Sequence, residues 1–404
     1  MRNARLATVA VALAMLSMGL MAAEPAGNFV MLPYVTYVDK HTASVSWVVR
    51  AGAPRGYLAL TGTNVIRAVA GNAYIPGREE LVQTATLTGL APGTAYSYIV
   101  KVGASAAYGA LTSAPEEGVP MKFVIYGDTR SHPAMHRRVS EAIGGEKPLF
   151  VVHTGDLVTS GDDWDDWAVD YFGPARAYLG VCPVWPARGN HENSGTFFRA
   201  LFRFRGAMCN RSFDYGNVHI VILDSEERFG GRAALVTWLD RDLAASKAAW
   251  TIVVYHEPTY NVGGHGSAWG RDDVLPVLMK HGVDMVVAGH SHLYERFVPI
   301  GPAGKKPTIF VVSGGGGARL YGARPSPLLV GGEGKAVLHY CVFEVEGNRL
   351  RMTVRTPDGE EIDRLDLSKN EGRYQDEIMK QAVTPEEADK ILRSAPLEED
   401  GENE

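Results

Sequence analysis

The chain offers little thiol chemistry. Its 404 residues include three cysteines, Cys182, Cys209 and Cys341, and their spacing fits no zinc motif. Export would permit a disulfide between Cys182 and Cys209; three buried free thiols are the alternative. Basic runs are absent, and so is any interleaving of basic with aromatic residues. With a net charge of −6, that excludes a polyanion groove and hence a nucleic-acid partner. No repeat of solenoid type is present. The glycines at 314–317 lack the Lys-Ser/Thr of a phosphate-binding P-loop and read as a turn after a strand at 308–312. Apolar runs long enough to interest a membrane are also missing after residue 21.

The exception lies at the start. Arg2 and Arg5 precede an almost wholly apolar run at 6–21, closed by Ala22-Ala23. This is the pattern of a secretory signal peptide over residues 1–23; an uncleaved anchor is the alternative. The expected location is outside the cytoplasm, periplasmic or extracellular, with no stable membrane insertion after cleavage.

At this length two domains are the natural expectation, and 46% hydrophobic content is enough to fill both cores. Residues 27–116 read as all-β. Alternation at 43–49 predicts that Val45 and Trp47 share a buried face. Ser113 to Pro120 is a polar, proline-containing linker. A helix is expected from about Pro133 to Ile143, with Met135, Val139 and Ile143 at four-residue spacing and Gly144 as its stop. The acidic stretch at 161–167 has the wrong spacing for an EF-hand; it reads as a helix start with Trp164 and Trp167 turned inward. From about Leu367 the chain turns polar, and 397–404 is acidic enough to be disordered.

Between these parts, five strand-like runs each stop at polar, metal-capable residues. They end at Asp128-Thr-Arg130, Gly155-Asp156, Gly189-Asn190-His191-Glu192, His256 and Gly289-His290-Ser291-His292. In open α/β sheets the carboxyl ends of the strands are where ligands bind. Two aspartates, an asparagine and three metal-capable histidines on one rim match the needs of a metal centre. A carboxylate can bridge two cations, and imidazoles with an amide oxygen complete their shells. The preceding glycines are expected to supply the sharp turn out of each strand.

These blocks, in this order, resemble the calcineurin-like metallophosphoesterases, whose pattern runs Asp-x-His, Gly-Asp, Gly-Asn-His-Asp/Glu, His, Gly-His-x-His. The resemblance covers roughly residues 121–354. The branch most similar is that of the purple acid phosphatases, because the stretch from Leu87 to Tyr98 also resembles the tyrosine corner of a fibronectin type III-like domain. It implies a four-layer α-β-β-α sandwich over 120–365, preceded by a fibronectin-like domain at 27–116; the residues beyond, 366–404, read from their composition as an acidic tail, with a short helix expected from Glu386 to Leu392 after Pro385. It implies two divalent or trivalent metal ions, Fe, Zn or Mn. Asp156 would bridge them; Asn190, His256 and His290 would complete the second, and Asp128 and His292 would hold the first. It further implies hydrolysis of small phosphate monoesters, by in-line attack of metal-activated water. His191 would assist the leaving group, with Glu192 either orienting its ring or serving only the turn. A phosphodiesterase or nucleotidase with the same centre is the alternative, and a phosphate-binding protein with a decayed centre is the non-enzymatic one.

Two positions depart from the pattern. The histidine of Asp-x-His is Arg130 here, and the tyrosine that ligates iron in purple acid phosphatases is Thr159. A guanidinium has no lone pair to give a metal, but its fork suits phosphate, so Arg130 is expected to clamp substrate. His265, in a glycine-rich loop after His256, is expected to contact phosphate or donate a proton, with the loop as a flexible lid.

Overall fold

The computed structural model describes residues 27–62, 67–203, 209–227, 231–370 and 373–394. The signal-peptide reading and the last ten residues fall outside them. Among the described residues no helix is long and apolar enough to cross a membrane.

The N-terminal part is a pair of four-stranded antiparallel sheets. One runs Phe29–Val38, Thr42–Val49, Leu81–Thr88, Gly71–Tyr74; the other Arg67–Val69, Tyr57–Leu60, Ala95–Val102, Ser105–Thr112. Val45 and Trp47 are both fully buried in the core between them, as alternation requires. The Trp47 indole N–H donates to Gln83 Oε1 at 2.9 Å, so its one polar atom is satisfied. The Tyr96 hydroxyl accepts from the Ala91 N–H at 2.8 Å, closing the corner. This arrangement is consistent with a fibronectin type III-like domain. Tyr98 does more than fill the core. Its hydroxyl donates to the Gly180 carbonyl (3.0 Å), and Tyr34 does the same to Leu201 (2.8 Å). Both acceptors belong to the larger unit, so the small sandwich is seated on it by buried polar contacts.

The larger unit has a mixed α/β metallophosphoesterase fold built on two facing sheets. The seven-stranded sheet is ordered Val184–Pro186, Val151–His153, Met121–Tyr126, Tyr340–Glu346, Arg349–Arg355, Glu361–Asn370, Arg373–Tyr374. Its first three strands are parallel. The six-stranded sheet is ordered Arg211–Tyr215, Val218–Ile222, Trp250–Val254, Met285–Ala288, Ile309–Ser313, Tyr294–Arg296, with a parallel core of four. Strand alternation explains the layers. Phe123, Ile125, Ile252, Val254 and Val287 point into the space between the sheets. Val124 and Tyr126 point outward under the Pro133–Glu146 helix. Val253 and Val286 point outward under the Arg232–Ala245 and Val274–His281 helices. Strands covered on both faces read as continuous apolar runs, which is how the sequence presents them.

Three expectations change. The Pro133 helix continues to Glu146, through Gly144 and Gly145, because the backbone stop is Lys147 in the left-handed region (φ 53°). The chain after 365 is not a bare tail. The strand Glu361–Asn370 crosses that boundary in register with Arg349–Arg355, and the helix expected after Pro385 forms over Pro385–Ser394 and buries Ala388 in the outer core. Cys182 and Cys209 do not pair: all three cysteines are free and buried, and burial pushes the Cys209 and Cys341 thiols up to about 12. The Asp163 cap and the buried Trp164 and Trp167 agree with the sequence reading of that stretch.

Candidate metal centre

All five polar strand endings meet at one place, where the carboxyl edges of the two sheets come together. Asp128, Asp156 and Asn190 come from the seven-stranded sheet, and His256, His290 and His292 from the six-stranded one. The turns that deliver them are sharp, and of the four preceding glycines only Gly155, at φ 111°, bends as expected. Asp128, Asp156 and His290 themselves hold left-handed φ of 60°, 54° and 68°, a cost of about 1–3 kcal/mol each that the surroundings must hold in place. The other glycines make room. A Cβ on Gly189 would lie 2.2 Å from Asp156 Oδ1, and one on Gly289 would lie 2.4 Å from Asp128 Oδ2.

The polar atoms then converge in a way that protons cannot satisfy. His256 Nδ1–H donates to the Thr154 carbonyl at 3.1 Å, so Nε2 carries a lone pair. That nitrogen lies 3.0 Å from Asn190 Oδ1, 3.3 Å from Asp156 Oδ1 and 3.2 Å from His290 Nδ1. His290 Nδ1 is in turn 3.1 Å from Asn190 Oδ1. One proton on His290 can serve only one of these contacts. Asp128, Asp156 and His256 each bring a ligand atom within 4.8 Å of the others, and Asp128 Oδ2 is buried without a hydrogen-bond partner. His292 Nδ1–H donates to the Arg319 carbonyl (2.8 Å), which leaves Nε2 facing Asp128 Oδ1 at 3.6 Å. A cluster of lone pairs short of protons is what a cation site looks like before the cation.

Electrostatics agree. Burial, followed by the Asp156 charge, pushes Asp128 well above the usual carboxylate range. Burial pushes Asp156 the same way, but His256, His191 and Arg130 together pull it below that range. Burial is the main reason that His256 is lowered, His290 well lowered and His292 brought down to about 3. These shifts favour the neutral imidazole, the form that binds a metal.

Of the two roles expected of Glu192, the structure shows the one that serves the turn. Its carboxylate accepts the backbone N–H groups of Asp156 (3.0 Å), Gly189 (2.7 Å) and Leu157 (2.8 Å), tying two ligand loops together; burial and Asp156 raise it to about 8. The ring of His191 is held by the Thr159 carbonyl, to which Nδ1–H donates at 2.7 Å, leaving Nε2 for proton transfer. Thr159 is held in its turn by Asp170, whose Oδ2 accepts both its N–H (2.9 Å) and its hydroxyl (2.6 Å). Asp170 lies in a π-helical turn, Trp167–Phe172. Arg130 brings Nε to 3.4 Å from Asp156 Oδ2.

The loop after His256 is no free lid. Glu295 accepts from the N–H groups of Val262 (3.0 Å) and Gly263 (2.7 Å), Ser291 donates to the Gly263 carbonyl (2.8 Å), and Asn261 bonds to His265 O (2.9 Å) and Ser267 N (3.0 Å). It carries the His265 ring to 4.6 Å from the His290 ring, edge to face. Sequence reasoning missed Glu295, Asp170, and Tyr321, which stacks on His292 at 4.3 Å. It also missed that the 314–317 glycines pack directly beneath the site, where a Cβ on Gly316 would meet the Gly127 carbonyl at 2.2 Å. The only sequence signal was that unbroken glycine run.

Residues 121–294 match the family model of the calcineurin-like phosphoesterases. The chain carries a calcineurin-like metallophosphoesterase domain. An uncharacterised protein of Mycobacterium tuberculosis is 29% identical over 280 residues, 55% of this chain and 52% of that one. Purple acid phosphatase 21 of Arabidopsis thaliana is 28% identical over 231 residues, 51% of this chain and 52% of its own. The chain thus spans about half the length of the curated relatives it matches. A purple acid phosphatase from yellow lupin (Lupinus luteus) seeds shares the fold, with a TM-score of 0.71 at 19% identity over 84% of this chain and 75% of that one.

Proposed function

We propose that this protein hydrolyses phosphate monoesters at a metal centre built from Asp128, Asp156, Asn190, His256, His290 and His292. The observation that carries the reading is the convergence of His256 Nε2, Asn190 Oδ1, His290 Nδ1 and Asp156 Oδ1 within 3.3 Å of one another's partners. That donor set of imidazole, amide and carboxylate fits Fe, Zn or Mn. When bound, such ions draw charge from phosphate oxygens and lower the pKa of water. The fit is good on the Asn190 side, where four donors meet. It is poorer on the Asp128 side, where Arg130 and Thr159 supply none.

The chain's own groups do the rest. Arg130 donates from its Nη groups to phosphate oxygens, with its Nε edge against Asp156. Water oxygen forms the new P–O bond as the bond to the leaving oxygen breaks. His191 donates from Nε2 to that oxygen, so an alcohol leaves, and the water's proton passes to solvent. His265 flanks the leaving group from the pinned loop. The leader-like residues 1–23 support an exported enzyme.

Metal analysis paired with turnover of an aryl phosphate monoester and the matching diester tests the reading. Bound metal with faster monoester hydrolysis is expected. Faster diester hydrolysis would favour the phosphodiesterase alternative, and a protein that binds metal and hydrolyses neither ester would refute the assignment.

A further inference from the structure

The two positions that break the family pattern, 130 and 159, meet in the structure. Arg130 Nη1 donates to Ser131 Oγ at 3.5 Å, and Thr159 Oγ1 lies 3.3 Å from the same oxygen. Thr159 cannot offer its hydroxyl elsewhere, because that hydroxyl donates to Asp170 at 2.6 Å. Ser131 is held at a left-handed φ of 72° between them. The guanidinium therefore lies between Ser131 and Asp156.

Where it docks matters. The two oxygens of Asp156 are divided. Oδ1 faces His256 Nε2 at 3.3 Å and accepts the His191 N–H at 3.0 Å. Oδ2 faces Arg130 Nε at 3.4 Å. A carboxylate that bridges two cations must have room for both beside it, and here Oδ2 already faces the guanidinium cation. Arg130 is only 19% exposed, and a fixed positive charge at this range repels a divalent ion strongly in a partly desolvated site.

We propose that Arg130 takes the place of the first metal ion, so that the protein holds one metal, at the Asn190–His256–His290 side. This rests on the phosphoesterase reading only for the existence of the metal side; the phosphate would be gripped by one metal and one guanidinium.

Equilibrium dialysis of the full chain against Mn2+, followed by elemental analysis and electron paramagnetic resonance, tests the proposal. Wild type should retain about one equivalent, with the spectrum of an isolated ion. Arg130→His supplies the missing imidazole and should retain about two, with the spectrum of an exchange-coupled pair. Arg130→Lys keeps the charge and should stay near one. A coupled pair in wild type, or no retained Mn2+, overturns the proposal without relying on any variant. So does Arg130→His that melts like wild type yet stays near one equivalent. Absence of phosphatase activity with one ion bound would instead refute the functional reading and leave this one standing.

Discussion

Asp156 lies between two unequal half-sites. On one side, Asn190, His256 and His290 crowd their lone pairs within about hydrogen-bonding distance, and no arrangement of protons satisfies them all. On the other, Asp128 and His292 stand 3.6 Å apart, and Arg130 brings its own charge to 3.4 Å from Asp156 Oδ2. The first side is completed only by adding a cation. The second is already partly neutralised by the protein. The same four-layer frame supports both, so the difference is set by single residues at strand ends, not by the fold.

The shared carboxylate should show the largest effect. Asp156→Ala removes an anchor of the metal side and the partner of Arg130 at once. Loss of bound metal and of detectable turnover is expected, read by elemental analysis and ester hydrolysis on folded protein. Retention of wild-type metal content would mean that the lone-pair cluster does not depend on its carboxylate. Arg130→Ala comes next. It should lower kcat/KM by about 2–4 kcal/mol, the scale of one lost transition-state donor, while the Asn190 side keeps its metal. Lysine should restore only part, since it lacks the fork. If Arg130→Ala lowers thermal stability alone and leaves inhibition by phosphate untouched, Arg130 serves only its ion pair.

The sequence made the stronger half readable and the weaker one not. Asn190, His256 and His290 each follow an apolar strand, so their order along the chain predicts their meeting on one rim. The substitution at 130 was equally visible, but its consequence depends on which oxygen of Asp156 the guanidinium faces, and that is a matter of side-chain geometry. Glu192 illustrates the same limit. Its position beside His191 suggested a partner for the ring, yet it bonds three backbone amides, because orphan N–H groups in tight buried turns need acceptors more than an imidazole does. The loop at 259–267 looked flexible from its glycines. Its rigidity comes from Glu295, some thirty residues on, which no local pattern announces.

Beneath the Arg130 side lies a buried polar shelf that gives a metal-independent measurement. His136 Nδ1–H donates to the Asp170 carbonyl at 2.7 Å, and Nε2 accepts from the Tyr126 hydroxyl at 3.0 Å. Burial holds His136 down to about 4. It is neutral in the native state and takes up a proton on unfolding below about pH 6.5. The stability it carries is complete above that pH and is lost as pH falls toward about 4. By linkage this is about 3 kcal/mol over the interval. Urea unfolding of His136→Gln should show a slope against pH shallower by that amount; an unchanged slope would mean that His136 is protonated in the folded state.

The smallest expected effect concerns Asp170, which reaches the chemistry only through two other residues. It is 5% exposed and fixes Thr159 by two hydrogen bonds; Thr159 fixes the His191 ring by one. Asp170→Asn keeps size and shape but turns two charge-assisted bonds into neutral ones, a loss of about 1–2 kcal/mol in how firmly the ring is placed. If His191 donates to the leaving oxygen, the loss should fall on kcat and not on KM. It should also depend on the leaving group. An alkyl alkoxide needs the proton and should suffer the full loss, whereas a nitrophenolate leaves readily without it and should suffer little. A uniform decrease across leaving groups would assign Asp170 to the stability of the π-helical turn alone, and would remove the main structural reason for placing the acid at His191 rather than at His265.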